Sequence, residues 1–580
     1  MSRLRRALLA LGSALACAVT FAPFSAQAAD RAPAANPVVA ADPAYKVLVF
    51  SKTAGFRHSS IPNGLQAIRD LGSANNFTVD ATENAAAFTT ANLAQYRAVV
   101  FLMTTGDVLD NTQQAAFESY VRGGGGYVGV HSASDTEYGW SFYGGLVGAY
   151  FHSHPHIQQA TVRVEDRAHA STSHLGNDWV RTDEWYNFTT NPRSGARVLA
   201  RLDESTYTGG NMGDHPIAWC KPYEGGRSWY TAGGHTEQTY AEAGFRAHLL
   251  GGIRYAAGVT KADCRAETGY TPIFANSLTG WSQAGPGSFA LSDGTLTSQG
   301  GMGLLWYSAK EYRSYSLKLD WRMPGDDNSG VFIGFPASSD PWSAVNNGYE
   351  IQIDATDSAD RTTGAVYGYK SADIAARDRS LNPPGEWNTF ELLVEGERLQ
   401  IFLNGTKIND FTNTDPARSL LQGHIGLQNH GAGDDVSFRN IRVKELGSGP
   451  GPGPRTGQIT GVGGKCVDIS GSNTADGTKI QLWTCNGTGA QRWTLPGDGS
   501  IRALGKCLDI RNGGTANGTL TQLWTCNGTG AQQWTAQADG SLRNPQSGRC
   551  LDAMNAGTAD GTALHIWDCL NVGNQKWVLP

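Results

Sequence analysis

The sequence predicts a multidomain protein built from an α/β domain, a β-sandwich and a domain of three β repeats. Strand and helix patterns alternate over residues 45–258, and a two-residue polar–apolar period dominates residues 270–446. Three cysteine-bracketed units of about 40 residues fill residues 457–580. The Gly/Pro-rich stretch at 447–456 predicts a linker before these repeats.

The first 28 residues predict an export signal. Arg3, Arg5 and Arg6 precede an apolar run, and Ala26–Ala28 forms a small-x-small cleavage site. The pair Arg5–Arg6 leaves both the general and the twin-arginine export routes open. No later stretch reaches the ~18 apolar residues of a membrane helix, so we expect a secreted, extracellular protein that does not span a membrane.

Charge and cysteine content narrow the class further. The chain carries 46 basic and 52 acidic residues, which argues against nucleic acid or an anionic membrane surface as partner. Of its nine cysteines, Cys17 lies in the signal, and the other eight can pair, as expected in an oxidising compartment. Identical spacing predicts three bridges, and the two cysteines left over predict a fourth: Cys466–Cys485, Cys507–Cys526, Cys550–Cys569 and Cys220–Cys264.

Residues 45–258 predict a parallel sheet covered on both faces. Three apolar strands alternate with two helices, and continuous apolar strands are typical of such sheets. The strands are Lys46–Phe50, Ala98–Met103 and Tyr127–Val130; the helices carry Leu65, Ile68 and Leu71, and Phe117, Tyr120 and Val121. Ligands of these sheets bind beyond the carboxyl ends of the strands. We therefore expect His58 and His131, which follow strands, to belong to a site.

Other polar residues of this domain are candidates for the same site. We expect convergence of His58, His131, His154 and His235 with Asp183 or Glu184. Imidazoles and a carboxylate suit proton transfer or a divalent metal ion such as zinc. Scattered histidines are also commonly structural, and no compact metal-binding spacing is present, so these alternatives stay open.

This domain resembles the trehalose-utilisation (ThuA-like) family. The resemblance rests on Gly55–His58, Gly125–His131, Phe151–Pro155, Thr182–Tyr186, His215–Trp219 and Gly225–His235. It implies a flavodoxin-like fold of the glutamine-amidotransferase type. His131 then stands at the elbow where amidotransferases carry a nucleophilic cysteine. The only cysteine of the domain, Cys220, lies elsewhere, which disfavours thiol chemistry.

The β-sandwich at 270–446 contains a short acidic strand. Alternate side chains of a strand share one face, so Glu350, Gln352 and Asp354 are predicted opposite Ile351 and Ile353. Glycoside hydrolysis commonly uses two carboxyls about 5–9 Å apart, so Glu350 and Asp354 are a candidate catalytic pair. The alternative is a face that only binds hydroxyl groups or a structural cation.

The sandwich resembles the 3-keto-disaccharide hydrolase family, a concanavalin-like jelly roll. The matching stretches are Asn328–Val331, Gly348–Asp354, Gly364–Tyr367, Gly385–Asn388, Leu403–Gly405, Ile425–His430 and Phe438–Ile441. A 3-keto sugar has an acidic hydrogen at C2, so a base can trigger elimination of the anomeric group, followed by addition of water. His430 has the resting pKa range for that base. Hydrolysis and elimination both stay open.

The C-terminal units share Cys-x-Asp, Trp-x-Cys and Gln-x-Trp motifs. They resemble the ricin-type β-trefoil lectins, which use an aspartate for hydroxyl bonding and a tryptophan for ring stacking. The matching sugar-binding positions are Asp468, Gln481, Trp483 and Gln491; Asp509, Gln522, Trp524 and Gln532; and Asp552, His565, Trp567, Asn574 and Gln575. We expect Trp493, Trp534 and Trp577 to be core residues instead. Because His565 replaces glutamine in the third unit, the three sites need not be equally competent.

Together these features predict a secreted enzyme that cleaves glycosidic bonds of 3-keto-glycosides while its lectin module binds an oligo- or polysaccharide. A sugar 3-oxidoreductase is a candidate partner that supplies the ketone. One rival is a non-enzymatic carbohydrate-binding or adhesion protein. Another places the active site in the ThuA-like domain. No cofactor is predicted beyond the divalent metal ion considered there.

Overall fold

The computed structural model describes residues 42–446, 455–496, 499–537 and 539–580. The predicted export signal and residues 447–454 of the predicted linker lie outside them. Within the described ranges, no helix is long and apolar enough to cross a membrane. Three large hydrophobic cores lie in the three predicted domains, which confirms the predicted fold class.

The first domain is built on a nine-stranded sheet. Its strands and the separate pair β5 and β8 are β1 (Tyr45–Phe50), β2 (Phe77–Thr82), β3 (Ala98–Leu102), β4 (Gly126–Val130), β5 (Phe151–Ser153), β6 (Gln158–Val164), β7 (Asp178–Asp183), β8 (Asn187–Phe188), β9 (Arg197–Leu202), β10 (His215–Tyr223) and β11 (Gly226–Thr231). The helices are α1 (Ile61–Ala74), α2 (Thr90–Leu93), α3 (Asn111–Arg122), α4 (Ser141–Val147) and α5 (Ala243–Ala256). The strand order is β2-β1-β3-β4-β11-β10-β9-β6-β7.

This sheet is mixed, which corrects the expectation of a parallel sheet throughout. Strands β2, β1, β3, β4 and β11 pair in parallel. Strands β10, β9, β6 and β7 continue the sheet in antiparallel pairs. The buried strands β3 and β4 have the continuous apolar runs that predicted them. Strands β6 and β7 are partly exposed, so their sequences carry no such run.

The second domain is a sandwich of an eight-stranded and a five-stranded sheet. Its strands are β12 (Thr271–Pro272), β13 (Trp281–Ala284), β14 (Ser288–Ser292), β15 (Thr295–Gln299), β16 (Gly303–Tyr307), β17 (Tyr315–Arg322), β18 (Asn328–Phe335), β19 (Tyr349–Asp354), β20 (Asn388–Glu395), β21 (Arg398–Leu403), β22 (Thr406–Thr412), β23 (His424–Asn429) and β24 (Ser437–Glu445), with helices α6 (Trp342–Asn347) and α7 (Ile374–Ser380). The five-stranded sheet has the order β13-β16-β23-β18-β19. The hairpin between β21 and β22 turns at Asn404 and Gly405, whose φ values of 47° and 85° suit a two-residue turn.

The third domain consists of short strands and 3₁₀ turns repeated three times. Its strands are β25 (Arg455–Gly457), β26 (Cys466–Ile469), β27 (Thr478–Trp483), β28 (Trp493–Leu495), β29 (Arg502–Ala503), β30 (Lys506–Ile510), β31 (Thr521–Trp524), β32 (Thr535–Ala536), β33 (Leu542–Arg543), β34 (Cys550–Ala553) and β35 (Leu564–Trp567). Trp493, Trp534 and Trp577 belong to its core, as predicted. Each donates its indole N–H to a backbone carbonyl. This hydrogen bond satisfies the only polar group of the tryptophan side chain, which would otherwise be buried without a partner.

Buried charges join the first two domains. Glu267, in the segment that connects them, accepts Arg197 of the first domain at 2.9 Å and also contacts Arg442 of the second. Arg197 in turn contacts Asp166 at 2.8 Å. Because each of these charges is buried but paired, the contact surface between the domains is held without a stranded ion.

All four predicted disulfides are present. Cys466–Cys485, Cys507–Cys526 and Cys550–Cys569 each close the same part of a repeat. Cys220–Cys264 ties the segment between the first two domains to β10. The bridges agree with an extracellular location, where disulfides persist.

Removal of a repeat disulfide should destabilise the third domain. The bridge Cys466–Cys485 spans a sequence separation of 19, and we expect the double variant Cys466→Ala/Cys485→Ala to lose about 3 kcal/mol of unfolding free energy through the freer unfolded chain. Proteolysis of the third domain across a urea gradient measures the loss. An unchanged midpoint would contradict the prediction.

Candidate functional site

The first candidate site lies on the outer face of the five-stranded sheet. On β19, Ile351 and Ile353 enter the sandwich core, so Glu350, Gln352 and Asp354 point the other way. This placement follows from the two-residue period of the strand. The three polar side chains nevertheless have different surroundings.

Glu350 occupies a partly buried position against β18. Its carboxyl packs on Gly330, where an added Cβ would lie only 2.4 Å from Oε1, so only glycine leaves it room. Burial raises the pKa of Glu350 to about 8, although the charge of His430 and a hydrogen bond with Gln428 act in the opposite direction. The group therefore keeps its proton at neutral pH and can donate it.

His430 lies near enough to this carboxyl for the two charges to interact, and it is half-exposed. Its Nδ1 lies 2.9 Å from Oδ2 of Asp434, and this hydrogen bond raises the pKa of His430 against the effect of burial. In the neutral ring Nδ1 carries the proton that Asp434 accepts, which leaves the lone pair on Nε2. The pair can therefore work as a base that is oriented by a carboxylate.

Asp354 and Gln352 are placed differently from Glu350. One oxygen of Asp354 accepts from Asn328, and the other accepts from the backbone N–H groups of Thr356 and Asp357. Asp354 thus caps its own turn, and the predicted pairing of its carboxyl with Glu350 is not seen among the described contacts. Gln352 is fully buried. Of the three polar residues, Glu350 is the one whose carboxyl stays available.

The second candidate site lies at the carboxyl ends of strands in the first domain. His58 follows β1, His131 follows β4, Glu184 follows β7 and His235 follows β11. One ligand atom from each of these four side chains lies within 4.8 Å of the others. A cluster of this kind can hold a metal ion. It is the arrangement expected where parallel strands end together.

The geometry of this His/Glu cluster is compact. Nε2 of His131 lies 3.2 Å from Nδ1 of His235 and 3.5 Å from Oε2 of Glu184, while His235 and Glu184 are 3.0 Å apart. Burial, together with the neighbouring imidazoles, lowers the pKa of His58 to about 3. Although burial opposes it, the neighbouring imidazoles of His131 and His235 hold the pKa of Glu184 below its ordinary value.

His154 and Asp183 stand beside the cluster and not in it. His154 is partly exposed, and its Nδ1 lies 3.0 Å from Oε1 of Glu184. Asp183 is fully buried and accepts from the backbone of Gly234 and His235 as well as from Arg181. It therefore fixes the loop that presents His235.

The third candidate site is repeated three times in the third domain. Trp483, Trp524 and Trp567 expose 39 %, 37 % and 38 % of their surface, so each repeat presents one aromatic face to solvent. In each repeat an aspartate lies in a hydrogen-bonded network. The networks join Asp468 with Gln481 and Gln491; Asp509 with Gln522 and Gln532; and Asp552 with His565, Asn574 and Gln575.

The predicted sugar-binding residues fall into a buried group, which belongs to these networks, and an exposed group. Gln491, Gln532 and Gln575 are almost completely buried and also bind the backbone of their own loops. They orient the aspartates. The exposed tryptophans remain the surfaces on which a sugar ring can stack.

Known protein families match the three domains of the chain separately. The family model for trehalose utilisation matches residues 46–256. The model described as a 3-keto-alpha-glucoside-1,2-lyase-like domain matches residues 269–444, and that of the ricin-type beta-trefoil lectin domain matches residues 455–577. Each domain matches one known family. The chain is thus a modular carbohydrate-related protein with a ThuA-like domain, a hydrolase-like domain and a lectin domain.

Individual proteins resemble the chain over single domains. A curated 3-keto-disaccharide hydrolase from Bacteroides thetaiotaomicron is 24 % identical over 233 residues, 31 % of this chain and 79 % of that protein. A solved ThuA-like protein from Bacteroides uniformis is 22 % identical, covering 37 % of this chain and 93 % of its own, with a TM-score of 0.33. The agglutinin of Abrus precatorius is 32 % identical over 22 % of this chain and 48 % of its own, with a TM-score of 0.20.

Sequence reasoning missed several residues that complete these sites. Asp434 orients His430, Gly330 makes room for Glu350, and Gln428 contacts Glu350. Asp434 lies four positions after His430. Because this segment is a loop, the spacing alone does not predict that the two side chains meet. Gly330 had a signal, because glycine inside a strand commonly marks close approach of another group.

The raised pKa of Glu350 predicts a pH-dependent stability. Between about pH 4.5 and pH 8 the native protein holds a proton that the unfolded chain releases, so stability should fall as pH rises through this window. The variant Glu350→Gln should lack this component, so its stability relative to the unaltered protein should improve from pH 5 to pH 8.5. Urea unfolding of the second domain measures it.

Glu395→Gln is the matched control, since Glu395 is exposed at the end of β20. It should follow the unaltered protein at every pH. Parallel stability curves for the unaltered protein and Glu350→Gln would show that Glu350 titrates normally.

Proposed function

We propose that the chain is a secreted enzyme that cleaves the glycosidic bond of 3-keto-glycosides at the outer face of its sandwich. One observation carries the proposal: Glu350, protonated at neutral pH, interacts electrostatically with His430, whose Nδ1 is held by Asp434. An acid and an oriented base on one sheet face are what an elimination requires. The family match over residues 269–444 supports the same chemistry.

The reaction divides between these two groups. Nε2 of His430 removes the proton from C2, which the neighbouring C3 carbonyl acidifies. The electron pair of that C–H bond forms the C1=C2 double bond, and the bond from C1 to the glycosidic oxygen breaks. Glu350 gives its proton to the departing oxygen. Water then adds across the double bond, with its hydroxyl at C1 and a proton at C2, which releases the keto sugar.

The lectin domain holds this enzyme on its substrate in our proposal. Its three exposed tryptophans offer separate stacking faces for sugar rings of an oligo- or polysaccharide. The ketone itself must come from an oxidation at C3 of an ordinary glycoside, so a sugar 3-oxidoreductase is the partner activity that the proposal requires. The rival function, a protein that only binds carbohydrate, gives no role to the protonated Glu350.

The decisive substrate comparison is between a 3-keto-disaccharide and its unoxidised parent. We expect the full chain to release a monosaccharide from the keto form only, because C2–H of the parent is not acidic enough for an imidazole. Glu350→Gln and His430→Gln should each lower the rate about 10²–10⁴-fold. Mass-spectrometric product analysis measures release, and solvent deuterium at C2 of the product reports the elimination.

The pH profile gives an independent check. Activity of the unaltered protein should fall as pH rises through about 8, where Glu350 loses its proton, and the residual activity of Glu350→Gln should lack this fall. Equal rates on both sugars without deuterium at C2 would instead indicate ordinary hydrolysis. No turnover of either sugar would favour the binding-only protein.

Carbohydrate binding should depend on the exposed tryptophans of the repeats. The triple variant Trp483→Ala/Trp524→Ala/Trp567→Ala should lose retention on a polysaccharide or galactose-type resin, since each lost stacking face should weaken its site by about 1–3 kcal/mol. Affinity chromatography measures retention. Trp342→Ala, an exposed tryptophan of the second domain, is the control and should bind as before; unchanged retention of the triple variant would exclude these three sites.

A further inference from the structure

The reaction proposed for the sandwich domain uses no residue of the His/Glu cluster in the first domain. We propose that His58, His131, His235 and Glu184 bind one divalent metal ion of the zinc class, and that this ion takes an oxygen ligand from the solvent side.

The distances fit a small tetrahedral ion. Nitrogen and oxygen ligands at 2.0–2.2 Å from zinc lie about 3.3–3.5 Å from one another. The three separations among His131, His235 and Glu184 are 3.0, 3.2 and 3.5 Å, and His58 brings a ligand atom within 4.8 Å of all of them. Small side-chain rotations would bring the fourth ligand to the same spacing.

Hydrogen bonds already direct the lone pair of His131 into the cluster. Its Nδ1 lies 2.7 Å from the carbonyl oxygen of Ala232, which can only accept, so Nδ1 carries the proton and Nε2 the lone pair. Metal-bound histidines commonly have such a carbonyl partner on the other nitrogen. The backbone of His131 has a φ of 50°, a left-handed conformation that is uncommon for histidine and typical of functional positions.

The residues around the cluster hold its ligands in place. Buried Asp183 accepts from the backbone of His235 and is paired with Arg181, so its charge is already compensated. That pairing leaves Glu184 as the carboxylate that faces the imidazoles. Its second oxygen, Oε1, lies 3.0 Å from His154. Three neutral imidazoles and one carboxylate around a divalent ion leave one positive charge, which favours an oxygen donor as additional ligand.

The position of the cluster indicates where that ligand comes from. His58 and His131 are buried, whereas His235 is 21 % exposed and His154 is 43 % exposed, so the cluster opens to solvent on their side. The exposed ring of Phe56 stands edge-on to His58 at 4.8 Å between ring centres. An apolar ring beside a charged centre suits a sugar. We take the adjacent carbonyl and hydroxyl oxygens of a keto sugar as the ligand, a choice that rests on the proposed function.

Metal binding is tested on the full chain with Co²⁺ and Zn²⁺ as probes. After treatment with a chelator, the protein should bind one equivalent of Co²⁺, with the intense visible absorption of a four-coordinate ion, and Zn²⁺ should displace it. His235→Gln and Glu184→Gln should weaken binding at least about 100-fold. His152→Gln, an exposed histidine on β5, should bind as the unaltered protein does.

Two results would overturn the metal site. One is the absence of four-coordinate Co²⁺ absorption in the unaltered protein. The other is equal affinity in Glu184→Gln, His235→Gln and His152→Gln, which would place any bound ion elsewhere. Because Glu184→Gln keeps the size of the side chain, circular dichroism should show an unchanged fold, and a loss of binding is then a loss of the ligand.

The oxygen ligand is tested on the Co²⁺ protein with 3-keto-glucose and glucose. We expect the absorption spectrum to shift with the keto sugar and to stay unchanged with glucose at equal concentration. An unchanged spectrum with both sugars would overturn the keto sugar as ligand. Release of monosaccharide by the same preparation reports the sandwich site separately, so a protein that releases monosaccharide but shows no spectral shift would overturn the keto sugar as ligand and leave the proposed function standing.

Discussion

The alternation of side chains along β-strands is the constraint on which the sandwich site and the sites of the three repeats depend. On β19 the same period that sends Ile351 and Ile353 into the sandwich core sends Glu350 to the outer face. In the repeats it sends Leu482 inward and leaves the neighbouring Trp483 at the surface. Both of these sites are thus the reverse side of a core, and their residues cannot move without changing the packing behind them.

The sequence carried the elements whose signal is local. Continuous apolar runs predicted β3 and β4, and identical cysteine spacing predicted the three repeat disulfides. The set of histidines around Glu184 was also predictable, because parallel strands end at one edge and their following residues meet there. Strands β6 and β7 were missed, since half-exposed strands between long loops lack a continuous apolar run.

The roles of individual side chains needed contacts that no pattern contains. Asp354 and Glu350 look equivalent in sequence, yet Asp354 is bound by the backbone of the turn that follows it and Glu350 packs on Gly330. Gln481 and Gln491 likewise look alike, and only the hydrogen bond from Gln491 to the backbone carbonyl of Thr484 shows that it braces its loop. Contacts with neighbouring turns and strands decide such cases, and these contacts become visible only in the folded structure.

The buried contacts of Glu267 have a consequence for how the first two domains unfold. Unfolding of either domain would take one charged partner from Glu267 while the other partner stays in place, and removal of one partner from a buried ion pair costs several kcal/mol. Neither domain can then lose its structure without exposing the other to that cost. The two should melt as a single cooperative unit, so that the thermal tolerance of the histidine cluster is set in part by a sandwich that it never touches.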